Sequence, residues 1–187
     1  MGEWARRLGL SKAVLKSALW GEAWHAFERG QMDDETYRRR VGEALRLPDL
    51  EAVSLFFQEF YSAERLCPQM LDLIQRLRRT GRIKVALLTN AFIGQDQVMR
   101  RKWGLDPRTV FDLYINSAEV GLAKPDPAIY ELALIRLDVT PGEAIFIDDN
   151  VDNVHAAARL GIQAIHFESA EASNAVIAKV KKLVGIR

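Results

Sequence analysis

Apolar and polar positions along this chain follow two different rhythms, and the rhythm changes near residue 67. Up to about residue 66 the apolar residues recur at helical spacing, with Trp20, Trp24 and Phe27 at i, i+4 and i+7. Further on, Leu50, Val53, Leu55, Phe56, Phe57, Phe60 and Tyr61 form an apolar face broad enough to need a partner surface. Ser11 reads as a helix N-cap, Asp33, Asp34 and Glu35 as an acidic first turn, and Pro48 with Asp49 as the next helix start. No strand is expected here, and the tryptophan stripe reads as core, with His25 lying off it. From Pro68 a helix carrying Met70, Leu71, Ile74 and Leu77 ends at Thr80-Gly81 and gives way to a strand over 83–88, stopped by Thr89 and Asn90. A helix near Gln97 to Lys102, a strand over Leu113 to Ile115 and a helix opened by Pro127 follow. Ala144 to Ile147 then predicts a strand buried on both faces, running directly into Asp148 and Asp149. Val154, Ala157 and Leu160 return to helical spacing, Gly161 stops that helix, and Ile162 to Phe167 reads as one more strand. Strands alternating with helices predict a parallel sheet covered on both faces. The expected class is α/β, with a Rossmann-like parallel-sheet core over 67–187 and a small all-helical cap over 1–66.

Composition narrows the partners more than the fold. A length of 187 residues suits one well-cored domain with a small subdomain. A net charge of +1 gives no electrostatic reason to expect nucleic acid or a membrane surface. Cys67 is the single cysteine, so no internal disulfide is possible, and a buried thiol in a reducing compartment is the expectation. Trp4, Arg6 and Arg7 interrupt the N-terminus before any leader-like apolar run, and no stretch approaches the roughly 20 apolar residues of a membrane span. The cytoplasm is the expected location, and nothing in the pattern speaks to oligomeric state.

The candidate chemistry lies where strands end. In an open parallel sheet, ligands bind beyond the carboxyl ends of the strands. Thr89 and Asn90 follow one strand, Lys124 lies in the loop after the next, and Asp148 and Asp149 end the third. Pro125 holds Lys124 extended and Pro127 fits a first helical turn, so the ammonium is aimed by a stiff loop. Adjacent carboxylates near an apolar sheet repel unless a cation neutralises them, and magnesium is the natural choice, being a hard ion that leans on one or two carboxylates plus phosphate oxygens. The competing reading is that Asp149 or Asp152 only caps the following helix. A hydroxyl, an amide, an ammonium and a metal-binding acid pair together suit a phosphoryl group. The order Thr, Lys, Asp-Asp argues against a receiver-type signalling domain, where the acid pair comes first.

Over essentially its whole length this pattern resembles the haloacid dehalogenase-like hydrolase superfamily. Leu87-Leu-Thr-Asn90 is similar to its second motif, Gly121-Leu-Ala-Lys-Pro-Asp-Pro-Ala-Ile-Tyr130 to its third, and Phe146-Ile-Asp-Asp-Asn-Val-Asp-Asn153 with Ala157 to its fourth. The N-terminal helices resemble the family's helical cap, and Trp24 to Gly30 resembles sugar phosphatases of the alpha-D-glucose-1-phosphate phosphatase type. The resemblance implies that Thr89 and Asn90 bind the phosphoryl group and that Lys124 steadies nucleophile and phosphate. It further implies that Asp149 and Asp148 hold Mg2+, with Asn153 behind them; His25, off the tryptophan stripe and next to Glu28-Arg29-Gly30, is a separate candidate for a substrate contact. The family's first motif, an apolar strand ending in Asp-x-Asp that supplies the nucleophile, is not found, and Val110-Phe-Asp-Leu-Tyr114 is rejected as a substitute because Tyr114 stands where the second acid belongs. The chain is therefore expected to start inside the cap, to lack its central strand and to turn over negligibly. The first expectation is a magnesium-dependent phosphatase of a small phosphorylated metabolite, a sugar phosphate above others, with dehalogenation as a close variant. A non-catalytic phosphate-binding or interaction module of the same fold is the alternative.

Overall fold

Capping chemistry sets the helix boundaries before packing does. The computed structural model describes residues 1–169 and 172–185. Five helices open the chain: α1 (Gly2–Arg7), α2 (Lys12–Trp20), α3 (Glu22–Phe27), α4 (Asp34–Leu45) and α5 (Leu50–Phe60). The Ser11 hydroxyl accepts from the Val14 N–H at 3.2 Å. Asp33 and Asp49 likewise accept from the N–H groups of Thr36 and Ala52 at 2.7 and 2.8 Å. Each cap satisfies a donor that its helix cannot pair internally. The backbone and hydroxyl hydrogen bonds from Thr36 hold the Asp33 carboxyl below its usual range.

The expected stripe of Trp20, Trp24 and Phe27 is broken, because α2 ends at Trp20 and α3 starts after Gly21. A Cβ at Gly21 would lie 2.3 Å from the Ser17 carbonyl oxygen, so a side chain there is incompatible with this corner. Trp20 turns away and packs on Phe60, with ring centroids 6.0 Å apart, while Phe27 is buried. The core of this helical unit is Leu15, Leu19, Phe27, Tyr37, Val41, Leu45 and Phe56. The unit comprises Met1–Arg65 together with Asn90–Ile93 and Ser117–Gly121, so it adds two short segments to the expected cap.

The second unit comprises Leu66–Thr89, Gly94–Asn116 and Leu122–Arg187. Its elements run α6 (Pro68–Arg79), β1 (Ala86–Thr89), α7 (Gln95–Trp103), α8 (Pro107–Val110) and β2 (Leu113–Asn116). The short α9 (Ser117–Val120) belongs to the first unit, after which come α10 (Pro127–Leu137), β3 (Ile145–Asp148), α11 (Val151–Arg159), β4 (Gln163–His166) and α12 (Ser173–Val184). Strands alternate with helices as the pattern predicts, and every pairing is parallel.

The parallel sheet is split. β1 pairs with β2, placing Thr89 opposite Asn116, and β3 pairs with β4, placing Asp148 opposite His166. These are two separate two-stranded sheets, and β1 does not pair with β3. The expectation of a strand buried on both faces at 144–147 is thus corrected: Ile145, Phe146 and Ile147 are only half-buried, as are Ala86, Leu87 and Leu88. The physical reason is that each strand has a neighbour on one side only, which leaves its other edge uncovered. Beneath them, Leu73 and Leu77 of α6 with Val176 and Val180 of α12 pack against Ile145, Ile147 and Ile165. Val85 joins this cluster to a second one built on Met99, Leu105 and Phe111.

Cys67 differs from its expectation as well. It lies half-exposed at the N-cap of α6, its Sγ donating to Gln69 Oε1 at 3.4 Å, since the thiol sits outside the apolar face that α6 buries.

Asp112 clamps the entry to β1. Its Oδ2 accepts from the Val85 N–H at 2.8 Å and its Oδ1 from Arg78 Nε at 3.0 Å. Burial pushes this carboxyl up, but the hydrogen bonds from Val85 and Arg78 and the nearby positive charges outweigh it, and the folded value lies below the ordinary 3.8. Stability from this group is therefore complete above the unfolded value and is lost as the pH falls through the folded one. Urea midpoints of Asp112→Asn and the parent should converge as the pH drops from 5 towards 2. A gap that stays constant over that range removes Asp112 from the account of acid sensitivity.

Candidate functional site

β3 ends by placing a carboxylate under cover. Asp148 is its last residue and is buried, whereas Asp149, one step beyond, is exposed. Asp148 Oδ2 accepts from Lys124 Nζ at 2.7 Å, and the two side chains are only 6% and 9% exposed. Its Oδ1 accepts from the Asn150 N–H and from Asn153 Nδ2, both at 2.9 Å. An ionised carboxylate offers about four lone-pair sites. Three are used here, and the remaining one is on Oδ2, beside the ammonium.

Lys124 reaches this position from the loop before α10, where Pro127 occupies the first helical turn and Asp126 caps it by accepting from the Ala128 N–H at 3.0 Å. The Lys124–Pro125 peptide bond is cis. The ammonium also donates to the Leu88 carbonyl oxygen at 2.9 Å, so it touches the last turn of β1 and the end of β3 together. It lies 5.6 Å from the Phe146 ring centroid, and Tyr130 stands edge-on to the same ring at 5.3 Å. The Tyr130 hydroxyl donates to the Asn153 carbonyl oxygen at 3.0 Å. Burial, and then the negative charge of Asp148, push the Tyr130 phenol well above its usual value, so it stays a proton donor.

Asn150, not an acid, caps α11: its Oδ1 accepts from the Asp152 N–H at 2.9 Å. The competing reading of Asp149 or Asp152 as the cap is thereby corrected, because the amide one residue after the acid pair has the extended backbone that a cap needs. Among the described residues, the Asp149 carboxylate has no protein partner. Its backbone carbonyl accepts from His166 Nε2 at 2.9 Å, which fixes the chain where the side chain turns outward. Asn153 Oδ1 is a buried acceptor without a hydrogen bond. Orphans of this kind are uncommon in folded proteins and mark places where a water or an ion belongs.

The remaining sequence-predicted residues divide between the units. Thr89 ends β1 in the unit of Lys124, Asp148, Asp149 and Asn153, whereas Asn90 and His25 belong to the helical unit. There Ser117 Oγ donates to the Ala91 carbonyl at 3.1 Å and accepts from the Ala91 N–H at 2.9 Å, pinning the segment that follows Asn90. His25 is held at Nδ1 by Glu28 Oε1 at 2.9 Å; the imidazole is 62% exposed while the Glu28 side chain is 3% exposed. Gly30 closes this turn with φ +70, and a Cβ there would meet the Ala118 carbonyl oxygen at 2.5 Å. Ser117, His166 and the Leu88 carbonyl escaped the sequence reading. Only the strand register, which sets His166 opposite Asp148, points to one of them.

No group of three or more His, Cys, Asp or Glu side chains suited to a metal occurs among the described residues. No described helix is long and apolar enough to cross a membrane. Residues 5–161 match the family of haloacid dehalogenase-like hydrolases. The chain belongs to that family. It is 30% identical over 167 residues to sesquiterpene phosphatase astK of Aspergillus oryzae, covering 88% of this chain and 80% of the relative. It is 32% identical over 173 residues to a phosphoserine phosphatase of Thermus thermophilus, covering 87% of this chain and 66% of that protein. Its fold matches a HAD family enzyme of Bacteroides thetaiotaomicron solved with magnesium and inorganic phosphate. That match has a TM-score of 0.68 at 22% identity, over 88% of this chain and 83% of the other. The α/β class expected from the alternation of strands and helices, and the family that the motifs resemble, are therefore established.

Proposed function

We propose that this protein is a magnesium-dependent phosphatase scaffold for a small phosphorylated metabolite, a sugar phosphate first among the candidates. The observation that carries the reading is the buried Lys124–Asp148 pair, whose ammonium also reaches the Leu88 carbonyl next to Thr89 at the end of β1, with the exposed Asp149 one residue past the end of β3. The phosphatases among its relatives support it.

The donors suit a hard cation. Asp149, the free lone pair of Asp148 Oδ2 and the orphaned Asn153 Oδ1 are all oxygens, and magnesium makes up its remaining positions with water and phosphate. When bound, it would offset phosphate charge. Lys124 then supplies a fixed positive charge, and the Thr89 hydroxyl offers a neutral donor to a phosphoryl oxygen.

Aspartyl-phosphate chemistry needs an attacking carboxylate. Asp148 has donors on both oxygens, and Asp112, in the lookalike segment 110–114, is spent on Val85 and Arg78. In this reading residues 1–187 bind phosphate with magnesium but do not turn it over.

Titration calorimetry with phosphate and magnesium tests the site. Asp149→Asn should abolish the magnesium dependence and weaken phosphate binding about tenfold, the loss expected for one charge-assisted contact. Lys182→Ala, at an exposed position of α12, should change nothing. Binding indifferent to Asp149 dismisses the site assignment, and substantial magnesium-dependent hydrolysis of an aryl phosphate dismisses the account of the missing nucleophile. Phosphate binding without any magnesium effect favours the non-catalytic module.

A further inference from the structure

The peptide unit joining Asp149 to Asn150 is held at both ends. Its carbonyl oxygen accepts from His166 Nε2 at 2.9 Å, and its N–H donates to Asp148 Oδ1 at 2.9 Å. A carbonyl can only accept, so Nε2 is the ring nitrogen that carries a proton. The other ring nitrogen faces the exposed Glu168 carboxylate, with Nδ1 3.8 Å from Oε1. Strand register puts His166 there: it ends β4 directly opposite Asp148, and the Phe167 N–H donates to the Asp148 carbonyl oxygen at 2.9 Å, one step past the ladder. A peptide unit is planar and stiff, so fixing its oxygen on one side and its N–H on the other leaves it no rotation of its own. The torsions that flank it, ψ of Asp149 and φ of Asn150, are then fixed as well. This matters at Asp149, whose carboxylate has no protein partner among the described residues and takes its direction from the backbone alone. The same plane leads into Asn150, the cap of α11.

We infer that His166 is a positioning residue for magnesium at Asp149: it clamps the 149–150 peptide so that the outward carboxylate is already aimed before an ion arrives. The inference rests on the magnesium reading above and adds to it a residue of β4 that touches neither ion nor substrate. Without the imidazole, the peptide is held by its N–H alone and can turn about that single bond. The carboxylate then spreads over several directions, and binding an ion includes the cost of ordering it. Groups that orient a metal ligand from behind act in this way and commonly matter as much as a ligand does.

The test titrates magnesium chloride into the 187-residue chain and follows the amide signals of Asp149 and Asn150 by NMR. His166→Leu should raise the magnesium midpoint at least about tenfold, the usual result of removing a group that orients a metal ligand. Without metal, the Asn150 amide should exchange faster in this variant than in the parent, by a larger factor than the amides within β3. His166→Gln, whose side-chain amide can donate from near the place of Nε2, should bring the midpoint back to within about threefold of the parent. Ile165→Val thins the core beneath β4 without touching the clamp; it should lower the urea midpoint and leave magnesium binding alone. Equal magnesium midpoints in the parent and in His166→Leu, with circular dichroism showing both folded, overturn the inference. Equal losses in the leucine and glutamine variants, or unchanged exchange at Asn150, do the same. Magnesium binding that Asp149→Asn leaves unchanged overturns the magnesium reading and the role of His166 with it, whereas binding that needs Asp149 but not His166 overturns the role alone.

Discussion

Replacing Lys124 by alanine is expected to lower the unfolding free energy by about 3–5 kcal/mol, the usual cost of stripping one partner from a buried ion pair. The reason lies in what remains: Asp148 would keep the N–H of Asn150 and the amide of Asn153 but lose the Lys124 ammonium while staying buried. The Leu88 carbonyl would lose its ammonium as well. Against a typical domain stability of about 5–15 kcal/mol this is a large fraction. Urea unfolding at unchanged m-value measures it. Adding Asp148→Asn to Lys124→Ala should recover part of the loss, because a neutral amide needs no cation. A loss below about 1 kcal/mol would put the pair in the class of exposed salt bridges, and its role as the organising contact would go.

Phe27→Ala should cost the helical unit about 3–5 kcal/mol, as for other large aromatic deletions from a core. Phe27 is 5% exposed and lies between two rings, with Tyr37 at 4.4 Å and 10° on one side and Phe92 at 5.5 Å and 7° on the other. The loss should reach further than the cavity. Phe92 sits in the short segment after Thr89 and Asn90, and its neighbour Ala91 is clasped by Ser117. Amide exchange at Ala91 should therefore quicken in Phe27→Ala, while Phe27→Leu, which keeps much of the volume, should cost less than about 1.5 kcal/mol and leave Ala91 protected. Unchanged exchange at Ala91 in the alanine variant would show that the aromatic stack and the segment are not coupled.

Much of this protein is legible in one dimension because its signals are local. The cap at Ser11, the helix starts near Asp33 and Asp49 and the proline at the start of α10 act within three or four residues, so a linear reading finds them, although Asp33 is the cap of α4 and not part of its first turn. Thr89 and Asp148 close β1 and β3 and are local in the same sense, whereas Lys124 follows β2 only after α9 and meets Asp148 through the fold. The break between Trp20 and Trp24 was not legible: it depends on Gly21 meeting the Ser17 carbonyl, and periodicity carries no record of a corner. The burial of β3 was misread for a related reason. An apolar run reports what a strand prefers to contact, but exposure depends on a neighbour, and here β3 has one on a single side.

Tertiary structure alone decided how the two acids differ. In sequence Asp148 and Asp149 are equivalent, and only folding brings Lys124 from 24 residues away onto the first while His166 holds the backbone of the second. Asp149 lies past the end of β3, where the chain bends, so one acid is covered and paired and the other is in water. The orphaned Asn153 oxygen is likewise a product of packing, because its amide nitrogen is drawn to Asp148 and nothing is left for the other end. Residue types were enough to suggest phosphate and a hard cation. Which oxygen remains available to hold them is set by contacts between residues far apart in the chain.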